Sequence, residues 1–259
     1  MSEDRHRDLA RIREALEAAC EVLTRYTPGE IEHRVKSGAG DPVTEADLEL
    51  DRVLRQSLLR DGEGWLSEET ADDLSRLERS RVWVVDPLDG TKEFVLGLPE
   101  WCVSVGLVED GEPVAGGILN PAAGHLVLGA VDQGVTLNGE PARFRDTSRL
   151  DGATVLASRS EVKRGEWERF AGGAFEIVPM GSVAYKLARV AAGLADATWT
   201  LVPKNEWDVA AGVALVLAAG GEAWQPDGSR PRFNRSGTRL PGLVAHAAHL
   251  RPAIERFLM

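Results

Sequence analysis

Cysteine and long apolar runs are scarce in this chain of 259 residues. The two cysteines, Cys20 and Cys102, lie in apolar segments without metal-ligand spacing, which argues against a disulfide framework and against a cysteine-based metal site. No run approaches the roughly 20 consecutive apolar residues that a membrane helix requires. The chain also begins without the apolar stretch of a signal peptide, so we expect a cytoplasmic protein that does not bind membranes.

Basic residues are also few in comparison with acidic ones. The 30 basic residues are outnumbered by 41 acidic residues, which gives a net charge of −11. This charge opposes broad contact with a nucleic-acid polymer or an anionic membrane, because both are themselves negative. A small anionic substrate remains compatible with it if cations intervene. Hydrophobic residues make up 43% of the chain, enough for one large domain or two modest domains in contact.

Two amphipathic helices are predicted near the start of the chain. Apolar residues recur at intervals of three and four from Leu9 to Leu23, which is the pattern of one helix face. A second helix should follow Pro42, with Thr44 as its N-cap and Asp47 as the reciprocal acid of a capping box. We expect both helices to precede any sheet.

The remaining chain divides into two regions. A strand at 81–85 and apolar segments at 103–108, 114–119 and 126–131, separated by turn residues, predict an antiparallel sheet. After about Asp146, strands alternate with helices, which predicts a mixed sheet in a second α/β layer system. The segments of this second region are strands at 155–158, 175–178 and 197–202 and helices at 162–171, 182–193 and 208–219. We therefore expect an N-terminal α+β domain of residues 1–146 and a C-terminal α/β domain of residues 147–259.

Acidic residues cluster beside predicted turns and helix starts rather than on amphipathic faces. The three clusters are 67–70, 86–91 and 206–208. Carboxylates on short, rigid turns suit Mg²⁺, which prefers hard oxygen ligands in octahedral geometry. In the central cluster, Pro87 can aim Asp86 and Asp89 at one volume. The amides of Gly90 and Thr91 can then cradle a phosphate.

Each acid also has a purely structural explanation. Asp-x-x-Asp-Gly is equally typical of a solvent-facing turn. Glu68 fits a solvated loop, Asp208 fits an acid that favours a helix dipole, and Asp47 fits its capping role. His246 and His249 would share a face only if their segment were helical, and they lack a third ligand, so we expect no zinc site.

Taken together, the motifs resemble those of the inositol monophosphatase superfamily of lithium-sensitive, Mg²⁺-dependent phosphatases. Four segments carry the resemblance in order, namely DPVTEAD at 41–47, SEE at 67–69, WVVDPLDGT at 83–91 and WDVAAG at 207–212. Lys-Glu-Phe at 92–94, Ser-Arg-Ser at 158–160 and Gly181-Ser182 with Lys186 are most similar to the 3′(2′),5′-bisphosphate nucleotidase branch, the CysQ type. The segment 201–206 departs from the common patterns.

The resemblance implies a site with two Mg²⁺ ions and room for a third, weaker ion near Glu68. Asp86 would bridge the two ions. The residues implied as metal ligands are Glu68, Asp86, Leu88 through its carbonyl, Asp89 and Asp208. Thr91, oriented by Asp47, would work with Glu68 to position and deprotonate the attacking water. The residues implied in substrate binding are Asp89, Gly90, Thr91, Ser158, Gly181, Ser182, Lys186 and Asp208.

The implied fold is α+β, an αβαβα sandwich with the active site between the halves. The implied reaction is hydrolysis of the 3′-phosphate of 3′-phosphoadenosine 5′-phosphate or a related bisphosphate nucleotide. The alternatives are an inositol-phosphate or sugar-phosphate monophosphatase, a non-catalytic phospholigand-binding protein and a two-carboxylate glycosidase. The partner would be a small phosphorylated substrate, and members of the family are often homodimers. Lys36 matches a lysine often found in the family, and its role is left open.

Overall fold

The computed structural model describes residues 2–35, 42–146 and 149–258 of the chain. Lys36 and Asp41 of the sequence motifs lie outside these residues. The helices in the described part are α1 (Ser2–Leu23), α2 (Glu45–Leu58), α3 (Thr91–Val95), α4 (Arg159–Lys163), α5 (Val183–Ala191), α6 (Glu206–Ala218) and α7 (Arg251–Leu258). None of them combines the length and the apolar character needed to cross a membrane.

Sixteen short strands accompany the helices in the described residues. In the first half they are β1 (His33–Val35), β2 (Pro42–Thr44), β3 (Gly64–Ser67), β4 (Arg81–Asp89), β5 (Cys102–Glu109), β6 (Glu112–Asn120), β7 (His125–Ala130), β8 (Gly134–Leu137) and β9 (Glu140–Ala142). In the second half they are β10 (Thr154–Ser158), β11 (Glu176–Met180), β12 (Ala197–Thr200), β13 (Lys204–Asn205), β14 (Gly221–Trp224), β15 (Arg239–Leu240) and β16 (Leu243–Ala247).

A seven-stranded sheet runs in sequence order from β3 to β9. Strands β5, β6 and β7 pair antiparallel, which confirms the predicted meander. The sheet is not wholly antiparallel, because β3 pairs parallel with β4. Strands β3, β8 and β9 are not predicted from the sequence, since each has only three or four residues and too little alternation to be recognised.

A five-stranded mixed sheet follows, in the order β11-β10-β12-β16-β14. The first three strands are parallel, and β16 pairs antiparallel with β12 and β14. The predicted helix at 162–171 is wrong. Helix α4 ends at Lys163, and Gly165, with a left-handed φ of +78°, separates it from a 3₁₀ turn at Glu168–Phe170.

One further expectation from the sequence is corrected by the structure. The first two helices do not precede every sheet, because β1 and β2 pair antiparallel between them. His246 and His249 share no helix face, since His246 lies in β16 and His249 in a 3₁₀ turn at Ala248–Leu250. His246 instead accepts a hydrogen bond from the Trp224 indole at 2.8 Å, in agreement with a packing role.

Three apolar clusters hold the layers together. One fills the space between the two sheets, where α5 and α6 pack, and includes Val84, Leu187 and Val213. A second lies under α1 and α2 on the outer face of the first sheet. The third joins the outer face of the second sheet to α7, around Trp199 and Ile254. The order helix, sheet, helix, sheet, helix confirms the predicted αβαβα sandwich.

Helix α6 lies directly on the backbone of the first sheet. A Cβ added at Gly116 would lie 2.5 Å from the carbonyl oxygen of Ala211, and one added at Gly106 would lie 2.8 Å from its amide nitrogen. Both neighbours are helix backbone and cannot rotate away. Glycine at these positions therefore sets how closely α6, which carries Asp208, approaches the sheet.

We expect Gly116→Ala to lower the free energy of unfolding by about 1–3 kcal/mol, because the added methyl group overpacks this contact. Denaturant unfolding followed by circular dichroism would measure the change. Gly172→Ala is a matched control, since a Cβ at Gly172 meets nothing within 4 Å. Equal stability of the two variants would show that α6 can move away from the sheet without loss.

Candidate active site

The central acidic turn stands at the end of β4. The pairing of β4 with β5 shifts register between Asp86 and Asp89, so the strand is irregular where these carboxylates lie. Gly90 follows with a left-handed φ of +94°, and a Cβ there would lie 2.8 Å from the Glu100 carbonyl oxygen. Only glycine fits this conformation and this space. The chain can then begin α3 at Thr91, immediately beside the carboxylates.

Three carboxylates from distant parts of the chain converge at this turn. Oxygens of Glu68, Asp86 and Asp208 all lie within 4.8 Å of one another. Glu68 follows β3, which pairs parallel with β4 so that both strands end together. Asp208 arrives from the first turn of α6 in the other half of the chain. Such a group of hard oxygen ligands could hold a divalent cation.

Asp89 lines the same cavity but is not a member of this group of three. Its Oδ2 accepts hydrogen bonds from the Ser182 hydroxyl and the Ala184 amide, each at 2.6 Å. Ser182 is the N-cap of α5, so Asp89 is held by the start of a helix from the second half. The two halves of the chain therefore meet at Asp89 as well as at Asp208.

Burial and neighbouring charges raise the pKa values of Asp86, Asp89 and Asp208. Burial raises the pKa of Asp86 well above its ordinary value, and the charges of Glu68, Asp89 and Asp208 raise it further. The pKa of Asp208 rises to about 8, chiefly through burial and next through the charge of Asp89. Burial also raises the pKa of Asp89. The site thus has an excess of negative charge that protons or a bound cation would neutralise.

Asp47 links the start of α2 to the central turn. Its Oδ2 accepts from the amide and the hydroxyl of Thr44, at 2.7 and 2.6 Å, which completes the predicted capping box. Its Oδ1 lies 3.0 Å from the Thr91 hydroxyl, which is also 2.9 Å from the Leu88 carbonyl oxygen. Asp47 is therefore both a cap for α2 and an orienting partner for Thr91.

The opposite wall of the cavity comes from the second half of the chain. Lys186 is buried and donates to the Ser182 carbonyl at 2.8 Å. Burial lowers its pKa to about 8, an effect that Asp89 partly offsets. The cavity has a volume of about 350 Å³. The sequence-predicted residues that line it are Glu68, Asp86, Leu88, Asp89, Gly90, Thr91, Ser158, Gly181, Ser182, Lys186 and Asp208.

Asp51 is a site residue that the sequence reasoning missed. Its two carboxylate oxygens accept from Ser67 Oγ at 2.5 Å and Thr70 Oγ1 at 2.7 Å, on either side of Glu68. A signal was present, because Asp51 follows Asp47 by four residues and so shares its face of α2. Helix α2 therefore orients both Thr91 and the segment that carries Glu68.

A buried arginine joins the two halves beside the site. Arg76 pairs with Asp72 at 2.7 Å and donates to Asn234 Oδ1 and the Arg235 carbonyl, at 2.8 and 2.9 Å. The amides of Asn234 and Arg235 in turn donate to the carboxylate of Glu206. Glu206 precedes Asp208 by two residues. This network connects the segment that follows Glu68 to the helix that carries Asp208.

A layered α+β fold with converging carboxylates and helix starts lining one cavity is typical of a metal-dependent phosphatase. Comparison with known proteins agrees with this class. The chain belongs to the inositol monophosphatase family, which it matches over residues 5–255. The family is metal-dependent, and the acidic group described above could hold a metal.

Relatives of two kinds are found. The chain is 33% identical to the inositol-1-monophosphatase of Rhizobium meliloti over 231 residues, 85% of each chain. It is 35% identical to the 3′-phosphoadenosine 5′-phosphate phosphatase of Mycobacterium bovis over 201 residues, 75% of this chain and 73% of the relative. These names support a phosphomonoesterase. The relatives act on two classes of substrate, an inositol phosphate and a bisphosphate nucleotide.

A solved structure of the same family shows a similar fold. The structure of CysQ from Bacteroides thetaiotaomicron superposes on this chain with a TM-score of 0.77 and 27% sequence identity. The match covers 93% of this chain and 97% of the CysQ chain. The similarity therefore extends over both halves of the chain.

The raised pKa of Asp208 predicts how stability depends on pH without metal. An acid with a raised pKa stabilises the fold most below its ordinary value of 3.8, and this contribution is lost as pH rises through about 8. We expect the thermal unfolding midpoint in chelator to decrease as the pH is raised from about 5 to about 8.5. We expect Mg²⁺ to raise this midpoint more at about pH 8.5 than at about pH 5.

Differential scanning calorimetry with and without Mg²⁺ would measure both effects. The Asp208→Asn variant should show a weaker pH dependence in chelator, because its amide does not titrate. An equal Mg²⁺ effect at both pH values would contradict the assignment of these acids to a cation site.

Proposed function

We propose that the protein is a Mg²⁺-dependent phosphomonoesterase that removes the 3′-phosphate from 3′-phosphoadenosine 5′-phosphate or a related bisphosphate nucleotide. The observation that carries this proposal is the cavity in which the Glu68, Asp86 and Asp208 carboxylates face a basic wall. The relative from Mycobacterium bovis supports the nucleotide. Inositol phosphate is the second candidate, and the relative from Rhizobium meliloti supports it.

The donor set fits Mg²⁺. Every proposed ligand is an oxygen, which is the donor that Mg²⁺ prefers. We propose that two ions bind, with a third, weaker ion near Glu68, and that the ligands are Glu68, Asp86, the Leu88 carbonyl, Asp89 and Asp208. When bound, the ions would lower the pKa of water and neutralise charge on the attacking and leaving oxygens.

The chain's own catalytic groups would be Glu68, Thr91 and Asp47. Asp47 holds the Thr91 hydroxyl in one orientation, so that an oxygen lone pair of Thr91 can accept a hydrogen bond from a water in the cavity. Glu68 would orient the same water and accept the proton that it loses. No covalent phosphoenzyme is required, because phosphoryl transfer depends mainly on positioning and charge neutralisation.

The phosphate would be held by helix starts from both halves. Gly90 and Thr91 begin α3, and Ser182 begins α5, so the positive ends of two helices lie at the lining of the cavity. Lys186 adds a buried positive charge beside them, and Ser158, the N-cap of α4, lines the same wall. We also propose that residues 1–146 and 147–259 are two domains that must dock before this site exists.

A phosphate-release assay would test the substrate. With Mg²⁺ present, we expect kcat/KM for 3′-phosphoadenosine 5′-phosphate to exceed that for inositol 1-phosphate by about tenfold or more, with both activities lost in chelator. Adding Li⁺ would test for the lithium inhibition that the family resemblance implies. Equal rates on the two substrates would overturn the nucleotide preference, and activity that survives chelation would overturn the metal requirement.

Replacing Asp89 by Asn would test the metal assignment. We expect kcat to fall by at least about 100-fold, because the variant loses a negative charge from the site. The amide oxygen can still accept from Ser182 and Ala184, so the fold should persist. Steady-state kinetics and thermal unfolding would measure the two effects. Asp61→Asn, in an exposed turn outside the cavity, is the control, and unchanged turnover in Asp89→Asn would remove Asp89 from the metal site.

A further inference from the structure

Beyond α3, the cavity is lined by four cationic side chains, which are Arg159, Lys186, Lys204 and Arg239. Three of these side chains interact with other groups of the protein. Arg159 forms an ion pair with Glu100, and Lys204 forms one with Glu161 at 3.2 Å. Lys186 donates to backbone carbonyls at the start of α5. Two of these three charges are therefore paired with carboxylates, and the third is hydrogen-bonded to the backbone.

Arg239 differs from the other three. No ion pair or hydrogen bond of its guanidinium group is found among the described residues, and the side chain is exposed. In a protein with a net charge of −11, carboxylate partners are abundant. An unmatched guanidinium at the rim of an acidic site is thus available to a ligand.

The backbone of Arg239 is nevertheless held in place. Strand β15 pairs antiparallel with β13, and Arg239 lies opposite Asn205, the N-cap of α6. Its carbonyl oxygen accepts from Arg235 Nη2 at 2.7 Å, and the preceding carbonyl, of Thr238, accepts from the Glu206 amide at 2.8 Å. Arg239 is therefore fixed to the same helix start that presents Asp208, three residues after Asn205.

The size of the cavity leaves room for more than one phosphate group. Its volume of about 350 Å³ lies within the range of small-molecule pockets. The acidic group lines the same cavity, and a scissile phosphate would lie beside it. Arg239 and the matched Lys204 line the cavity from the adjacent strands β15 and β13.

We propose that Arg239 binds a second phosphate of the substrate, the one that is not hydrolysed, and so selects bisphosphates over monophosphates. This inference rests on the proposed function. A guanidinium group stays charged at every relevant pH and can donate two parallel hydrogen bonds to phosphate oxygens. Because the second phosphate stays on the product, Arg239 contacts the product as well as the substrate.

The test compares substrates that differ by one phosphate. Values of kcat/KM are measured with Mg²⁺ for adenosine 3′,5′-bisphosphate and adenosine 3′-monophosphate, using wild type, Arg239→Gln and Arg239→Lys. We expect Arg239→Gln to lower the value for the bisphosphate by about 10- to 100-fold, the loss expected for charge-assisted hydrogen bonds. The monophosphate should change by less than about twofold, and Arg239→Lys should lie between.

A matched control removes the same charge elsewhere. Arg230 is exposed and does not line this cavity, so Arg230→Gln should leave both substrates unchanged. Binding of adenosine 5′-monophosphate, measured by calorimetry with Mg²⁺, is a second readout that needs no turnover. Its Kd should rise by about tenfold or more in Arg239→Gln, and binding of adenosine should not change.

The results separate this inference from the proposed function. If wild type prefers the bisphosphate nucleotide to inositol 1-phosphate but Arg239→Gln lowers both nucleotides equally, or neither, then the role of Arg239 is overturned and the proposed function stands. If wild type prefers inositol 1-phosphate, the proposed function is overturned, and the role of Arg239 falls with it because the second phosphate gives no advantage.

Discussion

Repulsion among neighbouring carboxylates is the constraint on which this structure depends. Glu68, Asp86 and Asp208 have oxygens within 4.8 Å of one another, and at least Asp86 is removed from solvent. Like charges at this distance in a medium of low dielectric destabilise each other unless a proton or a cation intervenes. The fold must therefore hold the three groups together against their own charge. Two of them are anchored by neighbouring backbone, since Asp86 accepts from the Leu88 amide at 3.0 Å and Asp208 from the Asn205 amide at 2.8 Å.

The anchoring elements recur in both halves of the chain. Helices α2 and α6 each begin with a capping box whose acid, Asp47 or Asp208, belongs to the site. Helix α5 begins with Ser182, which holds Asp89. The Arg76 network then ties the two halves together next to these helix starts. Because the site is built from helix N-termini, their partial positive charge stabilises its acids and would also favour a bound phosphate.

Local parts of this arrangement could be predicted from the sequence, and distant pairings could not. The capping box at Thr44 and the turn after Asp86 follow from side-chain chemistry within a few residues, so their sequence signals are direct. The bond between Ser182 and Asp89 spans 93 residues, and that between Arg76 and Asn234 spans 158. No local pattern specifies such partners, because they depend on how the sheets stack. The resemblance to a known family supplied the convergence of Glu68 and Asp208 that periodicity alone left open.

Asp47 has a consequence for how such a protein can change during evolution. Stability and activity often compete, because active sites retain groups that are unfavourable for folding. Here one carboxylate group caps α2 with one oxygen and orients Thr91 with the other. A substitution that disturbs Asp47 loses both contributions together, and one that strengthens its surroundings improves both. On the proposed catalytic role of Thr91, selection for a durable fold and selection for turnover act in the same direction at this position.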